Sequence, residues 1–201
     1  MTPEVSRLRQ LLRIATIKRQ TVRGTMSNIA IELKGIDKSF GPVRANHDIN
    51  MAVRKGTIHG IIGENGAGKS TLMSILYGFY KADDGDIFVD GTKVEISSSS
   101  VAIDLGIGMV HQHFMLVENF TVLENVMLGA EEGQILNAGI HNARADLKRL
   151  EADYGLDVDP DAIIEELPVG IQQRVEILKA LYRGAEILIL DEPTGVLTPA
   201  E

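Results

Sequence analysis

Residues Gly63-Glu64-Asn65-Gly66-Ala67-Gly68-Lys69-Ser70-Thr71 have the composition and order needed to grip a polyphosphate, and they fit G-x-x-x-x-G-K-[ST] in full. Glycine is required there because a Cβ would block the approach of phosphate oxygens to the backbone. The amides of a tight loop that opens a helix point at the anion, and the helix dipole adds to the attraction. Lys69 supplies a point charge for the terminal phosphates and Ser70 a hydroxyl for Mg²⁺. Far along the chain, the apolar run Ile187–Leu190 ends in Asp191 and Glu192. Such a run reads as a buried parallel strand whose C-terminal end opens on a crevice. Asp191 would then anchor the water shell of the Mg²⁺, and Glu192 would orient or deprotonate an attacking water.

The loop works only if a strand leads in and a helix leads out. Residues 57–62 (Thr57-Ile58-His59-Gly60-Ile61-Ile62) are predicted as a buried strand, and residues 71–77 as a helix stopped by Gly78. Upstream, residues 29–33 alternate with period 2, and the region to residue 62 reads as short strands, with Gly41-Pro42 breaking the first pair. Asp83-Asp84-Gly85 is predicted as a turn, and Asp90-Gly91 as the turn of a hairpin between 87–89 and 93–96. The serines at 97–100 cap a short helix, and residues 107–110 read as a strand. Three helical pieces follow: 121–129; 141–154, with Ala143, Leu147, Leu150 and Tyr154 on one face and Gly155 as its cap; and 170–181. The order gives an α/β fold: a nucleotide core of the P-loop NTPase kind with an antiparallel β subdomain and a helical insert.

Composition sets bounds. The 201 residues suffice for one sizeable core, with 44% apolar and 24% charged residues. There is no cysteine, which excludes disulfides and thiolate metal sites and fits a reducing compartment. No apolar run approaches the roughly 18–20 residues that span a bilayer. The net charge of −8 is uneven: residues 1–25 carry Arg7, Arg9, Arg13, Lys18, Arg19 and Arg23 against Glu4, leaving −13 on the remainder. An acidic body argues against nucleic acid as a partner. Residues 1–25 have leucines at helical spacing that would suit a surface anchor or transit peptide, but read best as a disordered or pre-start extension ahead of Met26.

Further motifs between Lys69 and Asp191 give the chain a family likeness. Residues 26–201 resemble the nucleotide-binding domain of ABC transporters. In Lys38-Ser39-Phe40-Gly41 the resemblance implies that Phe40 stacks on adenine. Met109-Val110-His111-Gln112-His113-Phe114 is similar to the family's Q-loop, which implies that Gln112 contacts Mg²⁺ and water and links the core to the helical lobe. Leu167-Pro168-Val169-Gly170-Ile171 stands where the family has L-S-G-G-Q, so only Leu167 and Gly170 survive, and Pro168 and Ile171 replace the serine and glutamine. In the family that signature acts in trans, so the departure bears on the partner's nucleotide. Thr198 replaces the usual aspartate of the D-loop.

In finer detail the phrases around the phosphate loop and Asp191 resemble importers of simple sugars or nucleosides. That implies an ATP-hydrolysing subunit, peripheral on the cytoplasmic face of the membrane. Its implied partners are permease subunits, a second nucleotide-binding domain in tandem and, indirectly, a solute-binding protein. A soluble ABC-type ATPase not coupled to transport, and a regulatory module that only binds ATP, are the alternatives. Against the family pattern, the sequence stops at Glu201, before the strand and switch histidine that would complete the domain. Residues 1–201 by themselves are expected not to form a stable, active ATPase.

Overall fold

The computed structural model describes residues 28–111, 114–129 and 136–191. The chain divides into two compact units, Met1–Ile107 and Gly108–Glu201.

The first unit is built on a four-stranded antiparallel sheet. Strands β1 (Ile29–Phe40) and β2 (Val43–Arg54) form a long hairpin, turned at Gly41-Pro42, where Gly41 has φ 57°. Strands β3 (Asp84–Val89) and β4 (Thr92–Val94) extend it in the order β2-β1-β3-β4. Ile31, Leu33 and Ile36 are buried. The step from 33 to 36 breaks the period of 2 because the register shifts there, at Gly35 (φ 61°). The predicted hairpin turn is present: Asp90 (φ 53°) and Gly91 (φ 79°) both take the left-handed conformation of a two-residue primed turn. Ser98 caps helix α2 (Ser99–Asp104; the number follows a helix α1, Lys69–Leu76, in the chain).

Two expectations are corrected in this unit. Asp84 and Gly85 belong to β3 and do not form a turn. Gly85 serves close approach: a Cβ there would lie 2.4 Å from the Gly35 carbonyl oxygen. The larger correction concerns residues 57–62, predicted as a buried strand. They form no strand, and their side chains are exposed, Ile62 at 98%. Gly56 (φ 66°) and a hydrogen bond from Thr57 Oγ1 to the Arg54 carbonyl (2.8 Å) turn the chain off the end of β2. A strand exists through its ladder with a neighbour, and among the described residues none pairs with 57–62.

In the second unit, β5 (Ile107–Val110) and β6 (Ile187–Leu190) are hydrogen-bonded neighbours. Helices α3 (Val122–Met127), α4 (Leu136–Tyr154) and α5 (Val169–Tyr182) pack together. Their shared core takes Val122, Leu123 and Val126 from α3, Ala143 and Leu147 from α4, and Val175 and Leu178 from α5, all at helical spacing. Thr121 and Glu124 form a complete capping box, and Gly155 ends α4 with φ 64°. The predicted piece 121–129 is shorter as a helix, ending at Met127. Every residue of β5 is buried. Strand β6, expected to be buried, is only half-buried apart from Ile189, because among the described residues β5 alone lies beside it. No described helix is long and apolar enough to cross a membrane.

Candidate functional site

Helix α1 begins at Lys69, directly out of the glycine loop. Gly68 is its N-cap at φ 81°, ψ 10°, with no side chain to cap the helix, and the first turn carries no acid. The positive end of the helix dipole therefore meets no acid of its own first turn, which suits an external anion. Gly66 also sits at positive φ (83°), and the Ala67 amide donates to the Glu64 carbonyl (3.2 Å), which closes the loop around Asn65. The Lys69 ammonium donates to the carbonyls of Gly63 and Glu64, both at 2.8 Å. It thus reaches back over the whole loop, where phosphate oxygens would meet it. Ser70 is exposed and Thr71 half-buried in the same first turn, while Leu72, Ile75 and Leu76 fix the helix from below.

The donor set fits a triphosphate with its Mg²⁺: amides, an ammonium and one hydroxyl, in a loop that packs against β2 too closely for a Cβ at Gly68. That Cβ would lie 2.1 Å from the Ala45 carbonyl oxygen and 2.8 Å from Asn46 Nδ2. Phe40 closes β1 with its ring 42% exposed, consistent with a surface for stacking.

In the second unit, Asp191 directly follows β6, and its amide donates to the Val110 carbonyl (3.1 Å). That bond ties it to the strand leading to His111. Burial lowers the pKa of His111, with the Asp191 carboxylate opposing and Lys179 reinforcing the shift. Gln112, Glu192 and the segment 193–198 lie outside the described residues. Leu167 packs on the helical core, and Gly170 falls in the first turn of α5, whose N-cap is Pro168 and which has no acid in that turn. The Gln172 side-chain amide donates to the carbonyls of Leu167 (2.9 Å) and Ile164 (3.2 Å), fixing the approach to the helix. The phosphate loop lies in the first unit, and Asp191, Leu167 and Gly170 in the second.

Sequence reasoning missed several polar residues that hold these segments. Asn46, 5% exposed, donates from Nδ2 to the Gly68 carbonyl (3.1 Å), and its Oδ1 is buried without a hydrogen-bond partner. An amide side chain inside a strand was the available signal. Asn125 is fully buried and clamps Val117 from both sides, accepting from its amide (2.7 Å) and donating to its carbonyl (3.0 Å). Two residues earlier, Met115 receives a similar clamp from α5: Lys179 Nζ donates to its carbonyl (2.8 Å) and Glu176 takes its amide. Arg183, one turn further, donates to the Leu128 carbonyl. Met115 is thus held by Glu176 and Lys179 of α5, and Val117 by Asn125 of α3.

Glu176 is 4% exposed and one of its oxygens has no partner. Burial pushes its carboxyl pKa up, with Lys179, the Met115 amide and Arg183 opposing. A raised folded pKa favours the folded state at low pH, and that advantage is lost as pH rises through it. Glu176→Gln is therefore expected to raise the melting temperature at pH 8, by roughly 2–4 °C per kcal/mol relieved. The gain should shrink to nothing below about pH 4, where unfolded carboxyls are protonated as well. Melting curves at the two pH values check this, and a gain of equal size at both would contradict it.

Known proteins show the same organisation. The chain is 54% identical over 171 residues to the nucleoside import ATP-binding protein NupA of Lactococcus lactis subsp. cremoris (strain MG1363), a match covering 85% of this chain and 34% of that protein. It is 47% identical over 199 residues to the glucose import ATP-binding protein TsgD13 of Haloferax volcanii, covering 85% and 36%. The chain thus spans about a third of the length of the curated relatives it matches. Among solved structures, a nucleotide-free ATP-binding cassette from an ABC transporter superposes with TM-score 0.72 at 27% identity, covering 86% of this chain and 72% of that one. A bacterial ABC transporter cassette solved as a dimer gives TM-score 0.67 at 27% identity, covering 85% and 77%. The family model described as ABC transporter matches residues 46–195. That match takes in the glycine loop, the altered signature and the strand before Asp191, and it places this chain in the ABC transporter family.

Proposed function

We propose that this chain binds ATP with Mg²⁺ and hydrolyses it to power import of a simple sugar or nucleoside. The observation that carries the reading is the glycine cradle: an uncapped helix start free of acids, with Lys69 reaching back over the loop. The names of the nucleoside and glucose import relatives support the choice of solute class. Residues 26–201 act as the nucleotide-binding domain. Gly63, Glu64, Asn65, Gly66, Ala67, Gly68, Lys69, Ser70 and Thr71 hold the phosphates, and Phe40 stacks on the base. Ser70, Asp191 and Gln112 are the candidate ligands of Mg²⁺, which when bound would neutralise charge on the phosphates. Glu192 accepts the proton of the attacking water.

Leu167 and Gly170 face the nucleotide of a second domain, which in this class lies in the same polypeptide. Closure of the two domains excludes water and aligns the γ-phosphate. The protein sits peripherally on the cytoplasmic face of the membrane, against permease subunits fed by a solute-binding protein. The chain after Gln112, pinned at Met115 and Val117, carries the motion outward.

Lys69→Ala tests the cradle in the intact protein. Losing a charged hydrogen-bond donor worth about 1.5–3 kcal/mol should weaken Mg²⁺–ATP binding roughly 10- to 150-fold. Equilibrium binding of the nucleotide measures it, and an unchanged dissociation constant would refute the site.

A further inference from the structure

Beyond the residues already assigned to the nucleotide, we propose that Tyr80 and Asp83 complete the base end of the site. In this reading Tyr80 is a second aromatic wall beside Phe40, and Asp83 is the clamp that holds the Phe40 turn. The inference rests on the nucleotide reading above and specifies how that site would hold the base.

The geometry comes from three directions. The rings of Phe40 and Tyr80 meet edge to face, with centroids 5.1 Å apart at 72°. Both stay largely open, at 42% and 44% exposure. Two touching rings that each keep an exposed part offer a flat apolar surface on which a base can stack. Asp83 then pins the strand end that bears Phe40. Its Oδ1 takes the Lys38 ammonium and its Oδ2 the Ser39 amide, both at 2.7 Å. Those two bonds hold its pKa down. The Asp83 amide returns a bond to the Asp37 carbonyl (2.8 Å). Held this way, the Lys38 ammonium lies 5.5 Å from the Phe40 ring centre.

The pair is also tied to the phosphate cradle. The amides of Phe79 and Tyr80 donate to the Ser74 carbonyl of α1, at 2.8 and 3.3 Å, so the chain bearing Tyr80 wraps the far end of the phosphate helix. On the other side, Lys38 stands opposite Asn46 in the β1–β2 register, and Asn46 bonds the Gly68 carbonyl. Phe40 lies two residues beyond Lys38, about 7 Å along the strand. One short frame therefore carries both the phosphate grip and the aromatic pair. The occupant that would use both is a nucleotide, its phosphates on the loop and its base on the rings.

The test compares the dissociation constants of Mg²⁺–ATP and Mg²⁺–tripolyphosphate in the intact protein. Tripolyphosphate has no base and reads the cradle alone. Stacking on an aromatic side chain contributes about 1–3 kcal/mol per base, roughly 5- to 150-fold in affinity. Tyr80→Ala is expected to weaken ATP binding by at least about 5-fold and to leave tripolyphosphate unchanged, whereas Tyr80→Phe restores ATP binding. Asp83→Asn should weaken ATP in the same selective way, because it loosens the Phe40 turn. Unchanged ATP affinity in Tyr80→Ala, alongside a loss in Phe40→Ala, would overturn the inference and leave the nucleotide reading standing. Equal losses for ATP and tripolyphosphate would overturn it too, by reducing Tyr80 to a structural role. Failure of wild-type protein to bind either ligand would sink the nucleotide reading itself.

Discussion

Gly68→Ala is expected to abolish nucleotide binding and to lower the melting temperature by roughly 4–20 °C, whereas Gly66→Ala, two residues earlier, is expected to do far less to stability. Both glycines have nearly the same backbone, φ 81° and 83°. For a residue with a Cβ that conformation costs about 1–2 kcal/mol at either site. The surroundings separate them. At Gly66 an added Cβ meets nothing within 4 Å. At Gly68 it would lie 2.1 Å from the Ala45 carbonyl oxygen and 2.8 Å from Asn46 Nδ2, both held in strand β2. Neither backbone nor a buried amide can yield as a flexible side-chain tip would.

Relief at Gly68 therefore requires the loop to leave β2, breaking the bond from Asn46 and displacing the start of α1. Overpacking of this kind adds about 1–3 kcal/mol to the conformational cost. Each kcal/mol shifts the melting temperature by about 2–4 °C in a protein of this size. Thermal melts and equilibrium binding of Mg²⁺–ATP on both variants check the contrast. Equal behaviour of the two variants would show that close packing on β2 does not govern the loop.

Glu192→Gln is expected to leave ATP binding intact while turnover falls by roughly 10²- to 10⁴-fold, the usual contribution of a positioned general base. Glutamine keeps the size of the side chain and its capacity to accept a hydrogen bond, but it cannot take a proton from water. The phosphates are held elsewhere, by the loop at 63–71, so affinity should persist where Lys69→Ala loses it. The two variants thus separate binding from chemistry. The measurement is phosphate release under single-turnover conditions in the intact protein, beside the dissociation constant. Unimpaired hydrolysis would remove Glu192 from the mechanism.

Much of this was legible in the chain itself because it is written in local rules. The glycine loop, its lysine and its hydroxyl residues follow from spacing alone. Helix α1 follows from apolar periodicity, and the turn at Asp90-Gly91 follows from backbone sterics that only such residues satisfy cheaply. A helical piece beginning at 121 and the end of α4 at Gly155 were legible in the same way. The altered signature at Pro168, Val169 and Ile171 was equally plain to read.

Tertiary structure decided what depends on a neighbour far along the chain. Residues 57–62 have the composition of a strand, yet pairing makes a strand, and among the described residues no partner lies beside them. Asp84 and Gly85 have the composition of a turn, yet they lie in β3 beside β1, with Gly85 close against Gly35. Asn46 under the phosphate loop, Asn125 and Glu176 around the chain after Gln112, and Tyr80 against Phe40 are invisible to any spacing rule. Periodicity reports which way a side chain faces along its own element. Which carbonyl a buried amide meets, and which ring a second ring touches, is fixed only when strands and helices from distant parts of the chain pack together and water is driven from between them.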